Sequence, residues 1–285
     1  MTPLVLAGIG TSNPAHRITS ADAAEIAQHF SCETAAQQKL FRTMYRRAGV
    51  ATRHSVVLEA SEGDLETRQS FFGPEEPTTR HRMEKYESEA GGLIVEAARL
   101  ALQDADVEPG RVTHLVTVSC TGFYAPGVDS VLIRELGLSR DVARTHVGFM
   151  GCHGMLNGLR VAHGYVGADP AAVPLVCSVE LCSLHHQYGW DSDKIIANAL
   201  FADGAAAVVG VGGDGPAPKG AFRLVANGST FIDDSEDAMS WRVGNHGFAM
   251  TLSARVPDLI GEHLRGFLEK WLWRQGLSLS EVATW

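Results

Sequence analysis

Short apolar runs alternating with amphipathic stretches predict a layered α/β fold. Residues 114–119, 146–150, 174–179 and 205–211 are apolar runs of strand length and read as buried strands. Residues 155–166 form a helical stretch between two of them, with Leu156, Leu159, Ala162, Tyr165 and Val166 on one side. Residues 89–105 place Leu93, Ile94, Ala97, Ala98, Ala101 and Leu102 at helical spacing, a second clear helix.

The remaining elements follow in chain order. Residues 4–9 read as a strand and run into the turn-like Gly10-Thr11-Ser12-Asn13-Pro14. Helical stretches are expected over 20–30 and 33–48. Residues 61–82 are polar, hold Gly73, Pro74 and Pro77, and read as loop. Gly212 to Gly220 is rich in Gly and Pro and reads as a linker. The pattern then restarts, with strands near 221–227 and over 247–252. A helix follows over 257–274, with Ile260, Leu264, Phe267, Leu268 and Trp271 expected inward. This divides the chain into residues 1–212 and a shorter unit, 213–285. Residues 282–285 read as the opening of a strand, where a compact domain does not usually stop, so a fragment of a longer chain is expected.

Composition narrows the function classes. The 285 residues are 45% hydrophobic and 20% charged, ordinary for a globular protein. A formal charge of −9 argues against general nucleic-acid binding, which needs a basic field. No run approaches the roughly 18–20 apolar residues of a membrane span. Met1 to Ile9 lacks a basic flank and reads as a strand rather than a signal peptide, so a cytoplasmic location is expected. The thirty glycines show no repeat period. Five cysteines, Cys32, Cys120, Cys152, Cys177 and Cys182, occur at irregular spacing with no Cys-x-x-Cys, which fits neither a disulfide framework nor a zinc ribbon. Gly8-Ile9-Gly10 has Asn13 where a dinucleotide fingerprint needs its third glycine. His185-His186 is adjacent rather than helically spaced, against a metal pair.

One segment concentrates chemistry: Thr145-His146-Val147-Gly148-Phe149-Met150-Gly151-Cys152-His153-Gly154. A strand runs into a glycine-flanked turn and a helix begins directly after it. Cys152 therefore falls at a helix N-terminus, where free N–H groups and the positive end of the dipole favour an anion. Gly151 and Gly154 permit a tight turn and close approach by a substrate. This is the arrangement that presents a nucleophile at a strand–helix bend. Packing of a small apolar side chain is the competing reading. Lys39, Arg42 and Arg46 lie at i, i+3 and i+7 and share a helix face. Cations gathered in an acidic chain suit an anion such as a phosphate, against the alternative of a solvated charged face beside Arg47.

Together with Cys120-Thr121-Gly122-Phe123-Tyr124-Ala125-Pro126-Gly127-Val128-Asp129 and Ala199-Leu200-Phe201-Ala202-Asp203-Gly204-Ala205-Ala206-Ala207, the Cys152 segment resembles the chalcone-synthase-like type III polyketide synthases, in a bacterial version. The likeness runs from about Leu4 to the last residue. It implies a thiolase-like fold of duplicated βαβαβαββ halves in an α-β-α-β-α arrangement, here with an incomplete second half, and a homodimer. It also implies an acyltransferase. Cys152 takes an acyl group from a coenzyme A thioester, malonyl-CoA decarboxylates, and its carbanion extends the chain. Phe201 matches a gatekeeper of the acyl pocket. Met250 stands where a second phenylalanine is common, and Cys120, Cys182, His185 and Trp241 fall at cavity-lining positions. Lys39, Arg42 and Arg46 match coenzyme-A-binding positions. Ala125-Pro126 sits in a loop that reaches across the dimer, and a cis bond is allowed there. No metal and no cofactor beyond the thioester substrates is implied.

The sequence also departs from that pattern. The family uses a Cys-His-Asn trio whose His stands in a His-Pro-Gly-Gly motif, and neither the His nor the Asn motif occurs in these 285 residues. Exposed apolar surface and poor stability of this chain alone are expected in consequence. A single-round ketoacyl synthase III type is the competing enzyme reading. A non-catalytic homologue that binds coenzyme A esters is the competing reading from another class.

Overall fold

The computed structural model describes residues 2–213 and 220–285, so most of the expected linker at 212–220 lies outside the described residues. The strands, in chain order, are β1 (Leu4–Ser12), β2 (Arg17–Thr19), β3 (Thr52–His54), β4 (His114–Ser119), β5 (Ala143–Gly148), β6 (Pro174–Leu181), β7 (Asp203–Gly212), β8 (Phe222–Leu224), β9 (Met239–Gly244) and β10 (Gly247–Leu252). The helices are α1 (Ser20–Ser31), α2 (Ala35–Arg47), α3 (Thr79–Asp104), α4 (Val128–Leu136), α5 (Gly154–Ala168), α6 (Ser192–Leu200) and α7 (Val256–Arg274).

Six strands form one mixed sheet in the order β5-β4-β6-β7-β1-β8. β4 runs parallel to both β5 and β6, and the β6–β7, β7–β1 and β1–β8 pairs are antiparallel. β4 and β6 are central and read Leu115, Val116, Val118 and Leu175, Val176, Cys177, Val179, all buried. Such uninterrupted apolar strands mean that both faces are covered. α3 and α4 cover one face, through Ile94, Ala97, Ala98, Ala101 and Leu132. α5 covers the other, through Ala162 and Val166.

Glycines set how closely these layers approach. A Cβ on Gly10 would stand 2.1 Å from the Ala97 carbonyl oxygen, and one on Gly8 would stand 2.4 Å from that of Ala101. β1 therefore lies directly on the backbone of α3. Side-chain hydroxyls and carboxylates satisfy the free N–H groups of the helix starts: Thr19 caps α1, Thr78 caps α3 and Asp191 caps α6, while Thr34 and Gln37 form a capping box on α2.

Several sequence expectations need correction. α3 begins at Thr79 rather than near 89, because the residues its first turns bury are Arg82 and Tyr86, which carry no apolar period. Residues 146–150 are not a buried strand: β5 is an edge strand of mixed exposure that ends at Gly148, and Phe149 and Met150 are exposed. Leu156 on α5, and Ile260 and Leu264 on α7, face solvent, and Leu272 is the one buried residue of α7. No strand forms at 282–285. β9, α4 and α6 lie in stretches that gave no periodic signal. The expected restart near 221 supplies β8, which pairs with β1 and extends the first sheet.

The β1–α3 contact generates a prediction. Gly10→Ala drives a methyl into the Ala97 carbonyl and should destabilise the chain by about 2–3 kcal/mol. Urea unfolding should show a lower midpoint at unchanged slope.

Candidate active site

β5 delivers the chain to Cys152. After Gly148 the backbone turns through Phe149 (φ 51°) and Gly151 (φ 66°), passes a short 3-10 turn over Gly151–His153, and enters α5 at Gly154. Gly154 has no room for a side chain, since a Cβ there would stand 2.9 Å from Val118 Cγ1. The bend is thus pressed against the end of β4. Cys152 is exposed and lines a cavity of ≈ 740 Å³. That volume lies within the usual range for a small-molecule site.

The structure brings all the predicted pocket residues to this cavity: Cys120, Cys182, His185, Phe201, Trp241 and Met250 line it together with Cys152. Trp241 and Met250 face each other across the β9–β10 hairpin, and the Trp241 indole donates to the Cys120 carbonyl at 2.7 Å. The hairpin turn is tied to the start of α3 by Thr79, whose N–H donates to the Asn245 carbonyl at 2.8 Å and whose hydroxyl accepts from Gly247 N–H at 2.9 Å. Phe201 sits directly after α6 as its C-cap. Arg53 fixes that end, donating to the carbonyls of Asn198 (2.9 Å) and Ala199 (2.7 Å) while lying over the Tyr45 ring. The peptide bond between Ala125 and Pro126 is cis.

Lys39, Arg42 and Arg46 lie elsewhere. All three are exposed on α2, and none lines the cavity; Tyr45, on the buried side of the same helix, does. Arg42 pairs with Glu25 at 3.2 Å, an exposed contact worth little in stability.

Sequence reasoning missed the polar groups that line or support the walls. Arg82 is fully buried and donates to the carbonyls of Pro77 (3.0 Å), Leu184 (2.7 Å) and His186 (2.9 Å), with Glu76 at 3.2 Å as its counterion. It clamps the start of α3 to the turn that carries His185. Glu180, on the wall, accepts from Cys120 N–H at 2.9 Å and from the Thr121 hydroxyl at 2.6 Å. Asp203 is buried and accepts from Val56 N–H at 2.8 Å and Ser183 N–H at 2.7 Å. Each of the two carboxylates stood in plain sight as a charge within an otherwise apolar strand, which is the signal that finds such groups.

His185 is locked in one tautomer. Phe248 N–H can only donate, so Nδ1, at 2.9 Å, accepts; Nε2 therefore carries the proton and donates to the Thr121 carbonyl at 2.6 Å. Burial pushes its pKa down to about 4, and that of neighbouring His186 down to about 3. Both rings are neutral, and His185 has no free nitrogen with which to take a proton from Cys152. Among the described residues, no group of three or more His, Cys, Asp or Glu side chains is placed to hold a metal ion.

The buried histidines generate a pH prediction. Between about pH 4 and about pH 6.5 His185 is protonated in the unfolded chain but not in the folded one, so stability is lost as pH falls through that window. Between about pH 7 and about pH 5 the loss through His185 alone should be about 2 kcal/mol. Asp203, held up at about 6 by burial, has the opposite slope, because the folded chain binds its proton more tightly. Urea titrations of wild type and His185→Gln at both pH values isolate the histidine: the variant should decline less steeply.

Comparison with known proteins places this geometry. Residues 2–215 match the family described as chalcone and stilbene synthases, N-terminal domain. The alpha-pyrone synthesis polyketide synthase-like Pks18 of Mycobacterium tuberculosis is 30% identical over 287 residues, spanning 100% of this chain and 71% of that protein. The 1,3,6,8-tetrahydroxynaphthalene synthase of Streptomyces peucetius subsp. caesius is 34% identical, over 98% of this chain and 72% of its own length. The crystal structure of PKS-I from the brown alga Ectocarpus siliculosus superposes with a TM-score of 0.91 at 31% identity, covering 100% of this chain and 76% of that one. The fold is accordingly the thiolase-type layered α/β fold that the sequence resemblance implied. The chain belongs to the chalcone and stilbene synthase family, the type III polyketide synthases.

Proposed function

We propose that the protein is an acyltransferase that loads an acyl group from a coenzyme A thioester onto Cys152 and extends it with malonyl units by decarboxylative condensation. One observation carries this reading: a single exposed cysteine, at a glycine-lined bend directly before α5, opens onto one large cavity lined by all the pocket residues expected for such a reaction. The Cys152 thiolate attacks the thioester carbonyl, and coenzyme A leaves as its thiol. The acyl group then lies against Phe201, Trp241 and Met250. Malonyl-CoA loses carbon dioxide, and the resulting carbanion attacks the Cys152 thioester, which frees the sulfur. Within these 285 residues the derivable step is the first, since the His and Asn of the family trio are not among them.

Lys39, Arg42 and Arg46 suit the pyrophosphate and 3′-phosphate of coenzyme A from the outer face of α2. Pairing with a second copy is supported by the exposed apolar side chains of Phe123, Phe149, Met150 and Leu156 near the edge strand β5. The division at 212/213 belongs to the same proposal, as does a cytoplasmic location; no helix among the described residues is long and apolar enough to cross a membrane. The chemistry needs no cofactor beyond the thioesters.

Intact mass after incubation with octanoyl-CoA should show one octanoyl adduct on the wild-type chain and none on Cys152→Ala; an adduct that survives in the variant overturns the assignment of Cys152. Replacing Lys39 and Arg42 by Glu should raise the KM for octanoyl-CoA at least about tenfold, a change of about 1.4 kcal/mol. The same substitutions should leave loading from octanoyl N-acetylcysteamine thioester, which has no phosphates, within about twofold.

A further inference from the structure

The two ends of the cavity belong to different packing units. The bend that carries Cys152 is pressed on β4, within the core of the main sheet. The other end lies under α1, where Ala24, Ala27, Phe41, Tyr45, Ile195 and Ala199 form a separate small core. One face of α1 lines that end: Ala23, Ile26, Ala27 and Phe30, at i, i+3, i+4 and i+7, together with Ile18 and Leu58.

The polar side chains at this end are spent on the protein itself. Gln69 uses both ends of its amide on the Phe72 backbone, Nε2 donating to the carbonyl at 3.1 Å and Oε1 accepting from the N–H at 2.8 Å. His54 Nδ1 donates to the Pro14 carbonyl at 2.7 Å, and the Arg53 guanidinium is engaged with the carbonyls of Asn198 and Ala199. The surface left to the cavity is mostly apolar. The β9–β10 end, by contrast, is filled with rings. His185 stacks on Phe248 at 4.1 Å, and Trp241 stands edge-on to both, at 5.2 Å and 5.8 Å. An acyl group that outgrows the space beside Cys152 therefore has its room under α1.

A second, smaller depression of ≈ 240 Å³ abuts that end. It shares Ile26, Phe30 and Gln69 with the cavity and adds Glu25, His29, Leu65 and Glu66 on its outer side. The three shared side chains form a partition between the arm and the surface. Phe30 is fixed in it by stacking on Tyr188 at 4.8 Å and by the Phe72 ring at 6.3 Å.

We infer that the arm under α1 receives the tail of a long, unbranched, uncharged acyl chain, and that the partition of Ile26, Phe30 and Gln69 sets the chain length admitted. This rests on the reading of Cys152 as the acyl acceptor. Burial alone supplies the selectivity, since each methylene taken from water into an apolar arm is worth up to about fourfold in affinity. Malonyl units add at the thioester end. Each extension therefore moves the tail two carbons deeper, and the partition limits starter and extensions together.

The test is the rate constant of Cys152 acylation, followed by intact mass, with butyryl-, dodecanoyl- and hexadecanoyl-CoA held below their micellar concentrations. In wild type, dodecanoyl-CoA should load at least about tenfold faster than butyryl-CoA. Ala27→Leu narrows the arm and should lower the dodecanoyl-to-butyryl ratio at least about fivefold. Ile26→Ala opens the partition and should raise the hexadecanoyl-to-dodecanoyl ratio at least about fivefold. A wild-type rate that does not rise with chain length overturns the inference. So does a ratio within about twofold of wild type in either variant, provided that variant melts cooperatively. If Ala27→Leu slows all three thioesters equally, the arm holds the pantetheine of coenzyme A and the inference is lost. Should Ala27→Leu fail to fold, the wild-type series and Ile26→Ala decide. A butyryl adduct on Cys152 preserves the proposed function whichever way the ratios fall, whereas no adduct from any of the three thioesters removes it.

Discussion

Three adjacent parallel strand segments end at the same edge of the sheet, and the site is a consequence of that. β4 ends at Ser119, opposite Gly148 at the end of β5, and β6, whose Ser178 lies opposite Val118, runs a little further to Leu181. The next residues along each strand are Cys120 and Thr121, the bend to Cys152, and Cys182 with His185. A parallel sheet places the carboxyl ends of its strands, and the loops that follow, in one crevice. Antiparallel pairing of β5 or β6 with β4 would have sent these thiols to opposite ends of the molecule. The order β5-β4-β6 therefore precedes everything else about the cavity.

Around this edge the protein buries more charge than a core tolerates without support. A buried polar group left unmatched costs about 1–3 kcal/mol, and a charge costs more. Arg82 meets this with three carbonyls and a carboxylate, Asp203 with backbone and side-chain donors, and Arg53 with the last carbonyls of α6 and the Tyr45 ring. Each of these groups ties together segments distant in sequence, and each tie ends on a cavity wall. Arg82 joins the start of α3 to the His185 turn, and Arg53 joins β3 to Asn198 and Ala199 in the last turn of α6, just before Phe201. The wall geometry is thus held by directional bonds, whereas the packing of α3 and α5 on the sheet holds only the scaffold.

This difference decides what was legible in the sequence. The central strands, α3 over 89–104 and α5 were readable because their burial is apolar and periodic. The first turns of α3 were not, since their inward residues are Arg82 and Tyr86. Residues 146–150 read as a buried strand because Val147, Phe149 and Met150 are apolar, but β5 is an edge strand that ends at Gly148 and Phe149 and Met150 lie in the exposed bend after it. Ile260 and Leu264 have the spacing of an inward face, but spacing says nothing of whether a partner is there to cover it. Cys152 was legible from its glycines, and the other pocket residues through family likeness. Glu180 and Asp203 were passed over because an apolar-run reading treats a charge near the end of a strand as its boundary, when here Glu180 lines the cavity and buried Asp203 ties Val56 to Ser183.

The net charge of −9 might be taken to oppose a substrate as anionic as a coenzyme A thioester. It does not, because fields between exposed charges fade over a Debye length of about 8–10 Å at ordinary salt. Under the proposed function an approaching phosphate meets the local set on α2, where Lys39, Arg42 and Arg46 share one face and Arg47 adjoins it. Only Glu25, paired with Arg42, offsets them among the contacts of that face. Inside the cavity the surface is mostly apolar, with Glu180 as the carboxylate among its lining residues. Under the proposed function the phosphates of a coenzyme A thioester would meet the exposed cations of α2, which lie outside the lining of the cavity, while the acyl group would enter the cavity itself.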